Sequence, residues 1–292
     1  MAEELFRYTK RKDFLVCIDS DGCAMDTMNI KHFQCFGPCM TAEWKLEKWQ
    51  EEILARWNEI NLYTITRGIN RFRGLAKALG EIQEKYCEIE DLESLKGWVK
   101  ETRELSNEAL ESAIQKKDGI CLKKALSWSR AVNHSIQELP EEEKKPFPGV
   151  KEALKKVYQK ADIVIVSSAN RDAVLEEWKK HDLLEYTDLV LTQDSGSKAF
   201  CLSHLAECGY PSGHVLMCGD AAGDLEASEE AGVFFYPILV GQEAESWKEF
   251  QGIGLKHFLE ENYGGQYQQE MRKQFLANLG AADYGEETKS RH

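Results

Sequence analysis

Apolar residues follow two rhythms along this chain. Phe14-Leu15-Val16-Cys17-Ile18 is an unbroken apolar run rich in β-formers, which predicts a strand buried on both faces. From Thr41 to about Leu139 the rhythm becomes helical. Trp44, Trp49, Ile53, Trp57 and Ile60 recur at that spacing, as do Phe72, Leu75, Leu79 and Ile82, and then Leu122, Ala125, Leu126, Val132, Ile136 and Leu139. Few strand-like runs interrupt them, so the stretch predicts a helical module of about 100 residues whose tryptophans form its core. Glu141-Glu142-Glu143-Lys144-Lys145 reads as a solvated connector, and Pro146-Phe147-Pro148-Gly149 as a stiff return segment.

Beyond the return segment, helix and strand patterns alternate as in a parallel sheet. Strands are predicted at Ile163-Val164-Ile165-Val166, Leu189-Val190-Leu191, Val215-Leu216-Met217-Cys218 and Val233-Phe234-Phe235-Tyr236. Helices are predicted over 151–159, 171–181, 199–208 and 225–231. The first strand of this sheet has to be residues 14–18, because nothing else ahead of the helical module qualifies. The expected fold class is therefore α/β, with the helical module inserted between the first and second strands. Residues 1–27 and 146–292 form the core domain and 28–145 the insert. Residues 1–12 read as a polar leader, and the C-terminal stretch as helices near 256–261 and 266–279 followed by a disordered polar tail.

Composition narrows the classes of partner. With 292 residues the chain is long enough for two modest cores, and 42% hydrophobic with 30% charged residues is ordinary for a globular protein. A formal net charge of -13 argues against nucleic acid or an anionic membrane as partner, though not against a small anion that meets local charge. The start of the chain lacks a basic segment followed by an apolar run, and no stretch reaches the roughly 20 apolar residues of a membrane span. Nine cysteines, an odd number with Cys17 and Cys218 inside core strands, read as reduced thiols of a cytoplasmic protein. Cys35 and Cys39 have no second Cys/His pair at zinc-like spacing, so a zinc site is not expected.

Four of the five predicted strands of the core run into chemistry-bearing residues. The first ends in Asp19-Ser20-Asp21-Gly22, where a turn at Gly22 can aim both carboxylates into one crevice at the carboxyl edge of the sheet. Two acids that close suggest either a metal site or an acid–base pair. The Ile163 strand ends in Ser167-Ser168-Ala169-Asn170, the Leu189 strand leads to Lys198 at a helix start, and the Val215 strand ends in Gly219-Asp220 with Asp224 following. In a parallel sheet these termini share one edge. Carboxylates, hydroxyls and a lysine gathered there are what phosphoryl transfer requires, with Mg²⁺ neutralising charge.

These four motifs, in this order, resemble those of the haloacid dehalogenase superfamily, in the subgroup of phosphoglycolate phosphatase and β-phosphoglucomutase with a helical cap after the first motif. The resemblance implies a Rossmann-like parallel sheet core with an inserted all-α cap domain. It also implies a Mg²⁺-dependent phosphatase acting on a small phosphorylated metabolite through an aspartyl-phosphate intermediate. Asp19 would be the nucleophile and Asp21 the general acid and base. Ser167 and Lys198 would bind the transferring group, with Ser168 and Asn170 in the same loop as Ser167. The metal site would comprise Asp19, Asp21, Asp220 and Asp224. Gly68 to Arg71 resembles a cap segment that reads substrate, which makes Arg67, Asn70 and Arg71 candidate substrate-binding residues. Cys23 departs from the pattern, because the family usually has threonine after the glycine of the first motif. The alternatives are a phosphomutase of the same superfamily, or a catalytically silent metabolite-sensing or protein-interaction member.

Overall fold

A computed structural model gives the fold and describes residues 2–102 and 104–281. The expected disordered tail lies outside the described residues from 282 onward. The chain divides into two compact units, Met1–Met28 with Glu142–His292, and Asn29–Glu141.

The first unit is built on a five-stranded, all-parallel sheet in the order β3-β2-β1-β4-β5. The strands are β1 (Phe14–Ile18), β2 (Ala161–Val166), β3 (Leu189–Leu191), β4 (Val215–Gly219) and β5 (Phe234–Pro237). Every residue of β2 and β4 is buried, which is why these strands read as continuous apolar runs rather than alternating ones. Their helices start on local signals. Asn170 accepts hydrogen bonds from the backbone of Asp172 and Ala173 to open the helix Arg171–Lys180, and the Ser197 hydroxyl accepts from Phe200 N–H to open Lys198–Ala206. The helix expected from 225 begins earlier, at Ala222, because the Asp224 side chain turns back to accept from Ala221 N–H at 3.1 Å.

Both ends of the chain hold more structure than a polar leader and two helices. A short helix, Ala2–Phe6, buries Leu5 completely. The leader after it is tied down by Asp162, a charged and fully buried residue of β2. One Asp162 oxygen accepts from Arg11 N–H at 2.9 Å, Lys12 N–H at 3.0 Å and the Tyr210 hydroxyl at 2.6 Å. At the other end an unforeseen helix, Glu243–Glu249, is anchored where the Tyr236 hydroxyl donates to the Ser246 carbonyl at 3.0 Å. Asn278 completes the closure by pairing with both the N–H and the C=O of Val240.

The second unit is helical throughout, with its longest helices at Arg71–Lys85 and Ile120–Gln137. Trp57 and Trp128 meet edge to face at 6.0 Å, Phe72 packs against Trp98 at 5.1 Å, and all four are buried. The indole N–H of Trp128 donates to the Phe36 carbonyl, so the ring is a satisfied core residue. No helix among the described residues is long and apolar enough to cross a membrane.

Replacing Asp162 by alanine removes the acceptor of two part-buried backbone N–H groups and of a buried tyrosine hydroxyl. The expected loss is about 3 kcal/mol of stability by urea denaturation, because each unsatisfied buried donor costs roughly 1–3 kcal/mol. A loss below about 1 kcal/mol would mean that the leader is not held by this carboxylate.

Candidate active site

The register of the sheet sets the site. Ile18 lies opposite Ile165 of β2 and Cys218 of β4, so Asp19 is level with Val166 on one side and Gly219 on the other. Asp19 N–H donates to the Cys218 carbonyl at 3.0 Å, keeping the residue in the sheet's hydrogen-bond pattern at its last position. The chain then folds back on itself. The Ser20 carbonyl accepts from the N–H groups of Cys23, Ala24 and Met25, and Gly22 N–H donates to the Met25 carbonyl at 2.8 Å. Gly22 has φ of 84°, a conformation that glycine reaches without steric penalty. This turn stops the strand alternation that would otherwise send Asp19 and Asp21 to opposite faces.

Lys198 is the electrostatic centre. Its ammonium lies 2.9 Å from Asp19 Oδ2 and 2.5 Å from Asp224 Oδ1. Asp19, Asp220 and Asp224 are buried, and one oxygen of each lies within 4.8 Å of the others. The Asp19 carboxyl is raised to about 7, with burial the largest cause, Lys198 pulling the other way, and Asp224 and Asp220 adding to the rise. Burial also works against the Lys198 charge, but the Asp19 and Asp224 carboxylates more than offset it and hold the ammonium above its ordinary value. The close approach requires glycine at 219, where any Cβ would overlap the Asp224 side chain.

Three buried carboxylates lie around one ammonium. An all-oxygen donor set of this kind suits a hard divalent cation such as Mg²⁺. Asp224 is already engaged twice, with Lys198 on one oxygen and Ala221 N–H on the other. Asp19 is engaged on both oxygens as well, by Lys198 on Oδ2 and by Ser20 N–H on Oδ1.

The other expected residues sort clearly. Asp21 is half-buried and its Oδ1 accepts from the Thr27 hydroxyl at 2.6 Å. Ser167 follows β2 directly, is buried, and its hydroxyl accepts from Ala169 N–H at 3.2 Å. Ser168 and Asn170 are exposed, and the Asn170 side-chain oxygen is engaged as the helix cap. Cys23 is buried, donates to the Cys218 carbonyl at 3.4 Å, and has its thiol pushed up by burial, so it stays neutral. Arg67, Asn70 and Arg71 belong to the helical unit. Arg67 is buried and donates to the Leu62 carbonyl; Asn70 caps the helix Arg71–Lys85 and donates to the Leu105 carbonyl. Both side chains make hydrogen bonds within the helical unit. Arg71 differs. It lies over the Phe36 ring and bonds to Ser129 and Asn133, all neutral, and burial lowers its guanidinium to about 10.

Sequence reasoning missed three side chains that hold the acidic loop. These are Thr27 on Asp21, Trp178 on the Ser20 hydroxyl and Trp247 on the Cys23 carbonyl. A buried tryptophan reads as core whether or not its N–H has a specific acceptor, so no sequence signal marks the last two.

A family profile described as haloacid dehalogenase-like hydrolase matches residues 80–238. No curated protein matches the chain significantly. Among solved structures, a candidate phosphoglycolate phosphatase from Lactobacillus delbrueckii subsp. bulgaricus is 16% identical with a TM-score of 0.49, over 83% of this chain and 92% of that one. A candidate β-phosphoglucomutase from Thermotoga maritima is 19% identical with a TM-score of 0.41, over 77% and 84%. A haloacid dehalogenase-like family hydrolase from Xanthomonas campestris is 11% identical with a TM-score of 0.48, over 87% and 96%.

The charge arrangement makes stability depend on pH. Asp19 titrates near 4 in an unfolded chain and at about 7 in the folded one, so between these values the folded state binds more protons. Its contribution therefore falls as pH rises through that window. Without divalent cation, the melting temperature should drop from pH 5 to pH 7.5, Asp19→Asn should flatten the drop, and Mg²⁺ at pH 7.5 should raise it. An identical pH profile in Asp19→Asn would show that this carboxyl is not the titrating group. Gly219→Ala, by displacing Asp224, should abolish the Mg²⁺-dependent rise while leaving the protein folded.

Proposed function

This chain belongs to the haloacid dehalogenase-like hydrolase family, and from that membership we propose that it is a Mg²⁺-dependent phosphatase acting on a small phosphorylated metabolite. The observation that carries this reading is the buried Lys198 ammonium between Asp19 and Asp224, with Asp220 beside them. A site built to bind a neutral substrate has no use for so much fixed charge. One built to bring a carboxylate against a phosphoryl group needs cations to make the approach possible.

In this reading Asp19 attacks phosphorus, the P–O bond to the ester breaks, and Asp21 gives its proton to the departing oxygen. Water then attacks the aspartyl phosphate while Asp21 takes its proton. Free phosphate leaves and the Asp19 carboxylate is restored. Lys198 offsets the charge on Asp19 during approach and, with the Ser167 hydroxyl, holds phosphoryl oxygens. Asp224 acts by holding Lys198 in place. Thr27 orients Asp21 through the hydrogen bond to Oδ1. Asp19 and Asp220 would hold Mg²⁺, which when bound neutralises charge on the phosphoryl oxygens. In the helical unit, Arg71 has neutral partners among the described residues and is the candidate to meet an anionic group of the substrate.

The test is phosphate release from a panel of phosphorylated metabolites, with Mg²⁺ or with EDTA. Wild type should turn over at least one compound only when the cation is present. Asp19→Asn should lose at least about 10³-fold in kcat, as expected for removal of a nucleophile. Lys198→Met should lose about 10²-fold or more. Turnover that survives in Asp19→Asn would overturn the covalent route.

A further inference from the structure

The loop that carries Asp19 and Asp21 is braced by two indoles from different helices. Trp178, on the helix Arg171–Lys180, donates to the Ser20 hydroxyl at 2.9 Å, and Trp247, on the helix Glu243–Glu249, donates to the Cys23 carbonyl at 2.9 Å. Both rings are fully buried. Other carbonyls of the loop are met by backbone. Ser20 is served by the N–H groups of Cys23, Ala24 and Met25, Ala24 by Phe147 N–H, and Met25 by Gly22 N–H. Cys23 is the case where a side chain does the work, and that side chain comes from residues beyond 238, where the family match ends.

Trp247 is itself firmly seated. The Phe250 ring meets it edge-on at 5.7 Å, and the preceding Ser246 is fixed on both sides, its carbonyl by the Tyr236 hydroxyl and its hydroxyl by Leu239 N–H. The brace thus connects the end of β5 to the loop at the end of β1. Between Asp21 and Cys23 lies Gly22 at φ 84°, the most easily rotated residue of the turn. A Cys23 carbonyl deprived of its donor is a buried unsatisfied acceptor, and rotation about Gly22 is the simplest way for the loop to relieve it. That rotation moves Asp21.

We propose that Trp247 is a positioning residue for Asp21, so that the C-terminal segment, through one indole N–H, sets how well the enzyme protonates its leaving group; this rests on the phosphatase reading above. Displacing Asp21 by about 1 Å slows the ester-cleaving step, which kcat/KM reports, by up to about 10²-fold, but only where the leaving group needs a proton; its base role in the later attack of water is common to every ester and enters kcat alone. An alkyl phosphate needs it and p-nitrophenyl phosphate does not.

The experiment compares wild type, Trp247→Phe and Phe275→Leu, with Mg²⁺ present. Substrates are p-nitrophenyl phosphate and the alkyl phosphate that wild type turns over fastest, and amide exchange is followed by mass spectrometry. Trp247→Phe keeps most of the apolar volume and loses the N–H. Phe275→Leu trims packing against Phe235 in the same C-terminal segment without touching the loop. Trp247→Phe should lower kcat/KM on the alkyl phosphate by about 10- to 100-fold and on p-nitrophenyl phosphate by less than about threefold. Amides of residues 22–25 should exchange faster and those of β2 should not, and Phe275→Leu should show neither effect. Equal losses of kcat/KM on both esters, or the same pattern in Phe275→Leu, would reduce Trp247 to a packing residue and overturn the proposal. If wild type cleaves neither ester, the phosphatase reading falls instead. Exchange at residues 22–25 then decides whether the indole braces the loop, and unchanged exchange in Trp247→Phe overturns that as well.

Discussion

The site depends on one ammonium group inserted among buried carboxylates. Lys198 touches Asp19 and Asp224, and Asp220 lies in the same cluster. Removing any of these charges from water is costly, and the mutual attraction repays it only when geometry is tight and remaining lone pairs are satisfied. The scaffold supplies both. The sheet register fixes Asp19, the Ser197 cap fixes the first turn that carries Lys198, and the turn-back to Ala221 fixes Asp224. The missing side chain at Gly219 gives Asp224 the space to do this. Each is an ordinary local feature, and their convergence makes the charge cluster possible.

That convergence explains what could be read from sequence and what could not. Apolar runs that end abruptly in polar residues are visible one strand at a time, and a parallel sheet carries those ends to one edge without further information. Asp19, Ser167, Lys198, Asp220 and Asp224 were legible for that reason. Asp162 was not, because a charged residue at the start of an apolar run reads as the end of a loop. Only the structure shows it inside β2, collecting the N–H groups of Arg11 and Lys12. The helix Glu243–Glu249 was hidden by its composition. Only Ser246 and Trp247 of its seven residues are buried, too few to set up a periodicity.

Proximity in sequence does not give side chains the same local partners. Arg67, Asn70 and Arg71 sit within five residues and look like a single recognition segment. Folding gives each a different task, because a guanidinium or amide near a helix start is drawn to whatever backbone carbonyl or N–H lacks a partner. Arg67 answers the Leu62 carbonyl and Asn70 the Phe72 N–H, whereas Arg71 ends among neutral groups. Local motifs identify candidates, but the hydrogen-bond accounting of the surrounding helix decides which of them keeps its charge for something else.

The same accounting links Cys23 to the C-terminal segment. A hydroxyl at position 23, as the family pattern has it, would donate more strongly than a thiol. Cys23 reaches the Cys218 carbonyl only at 3.4 Å through sulfur, and burial keeps that thiol neutral. Its side chain is therefore a weak tether for a turn that must hold Asp21 against the freedom of Gly22. The backbone bonds to Ser20 close the turn and hold the Cys23 peptide plane by its Ala24 N–H end, but none of them fixes the carbonyl at its other end. The Trp247 indole does fix it, from a helix that packs against the end of β5. A weaker donor inside the loop and a stronger one brought from outside are physically complementary, and on this view the C-terminal helices complete the catalytic edge of the sheet as much as they cover it.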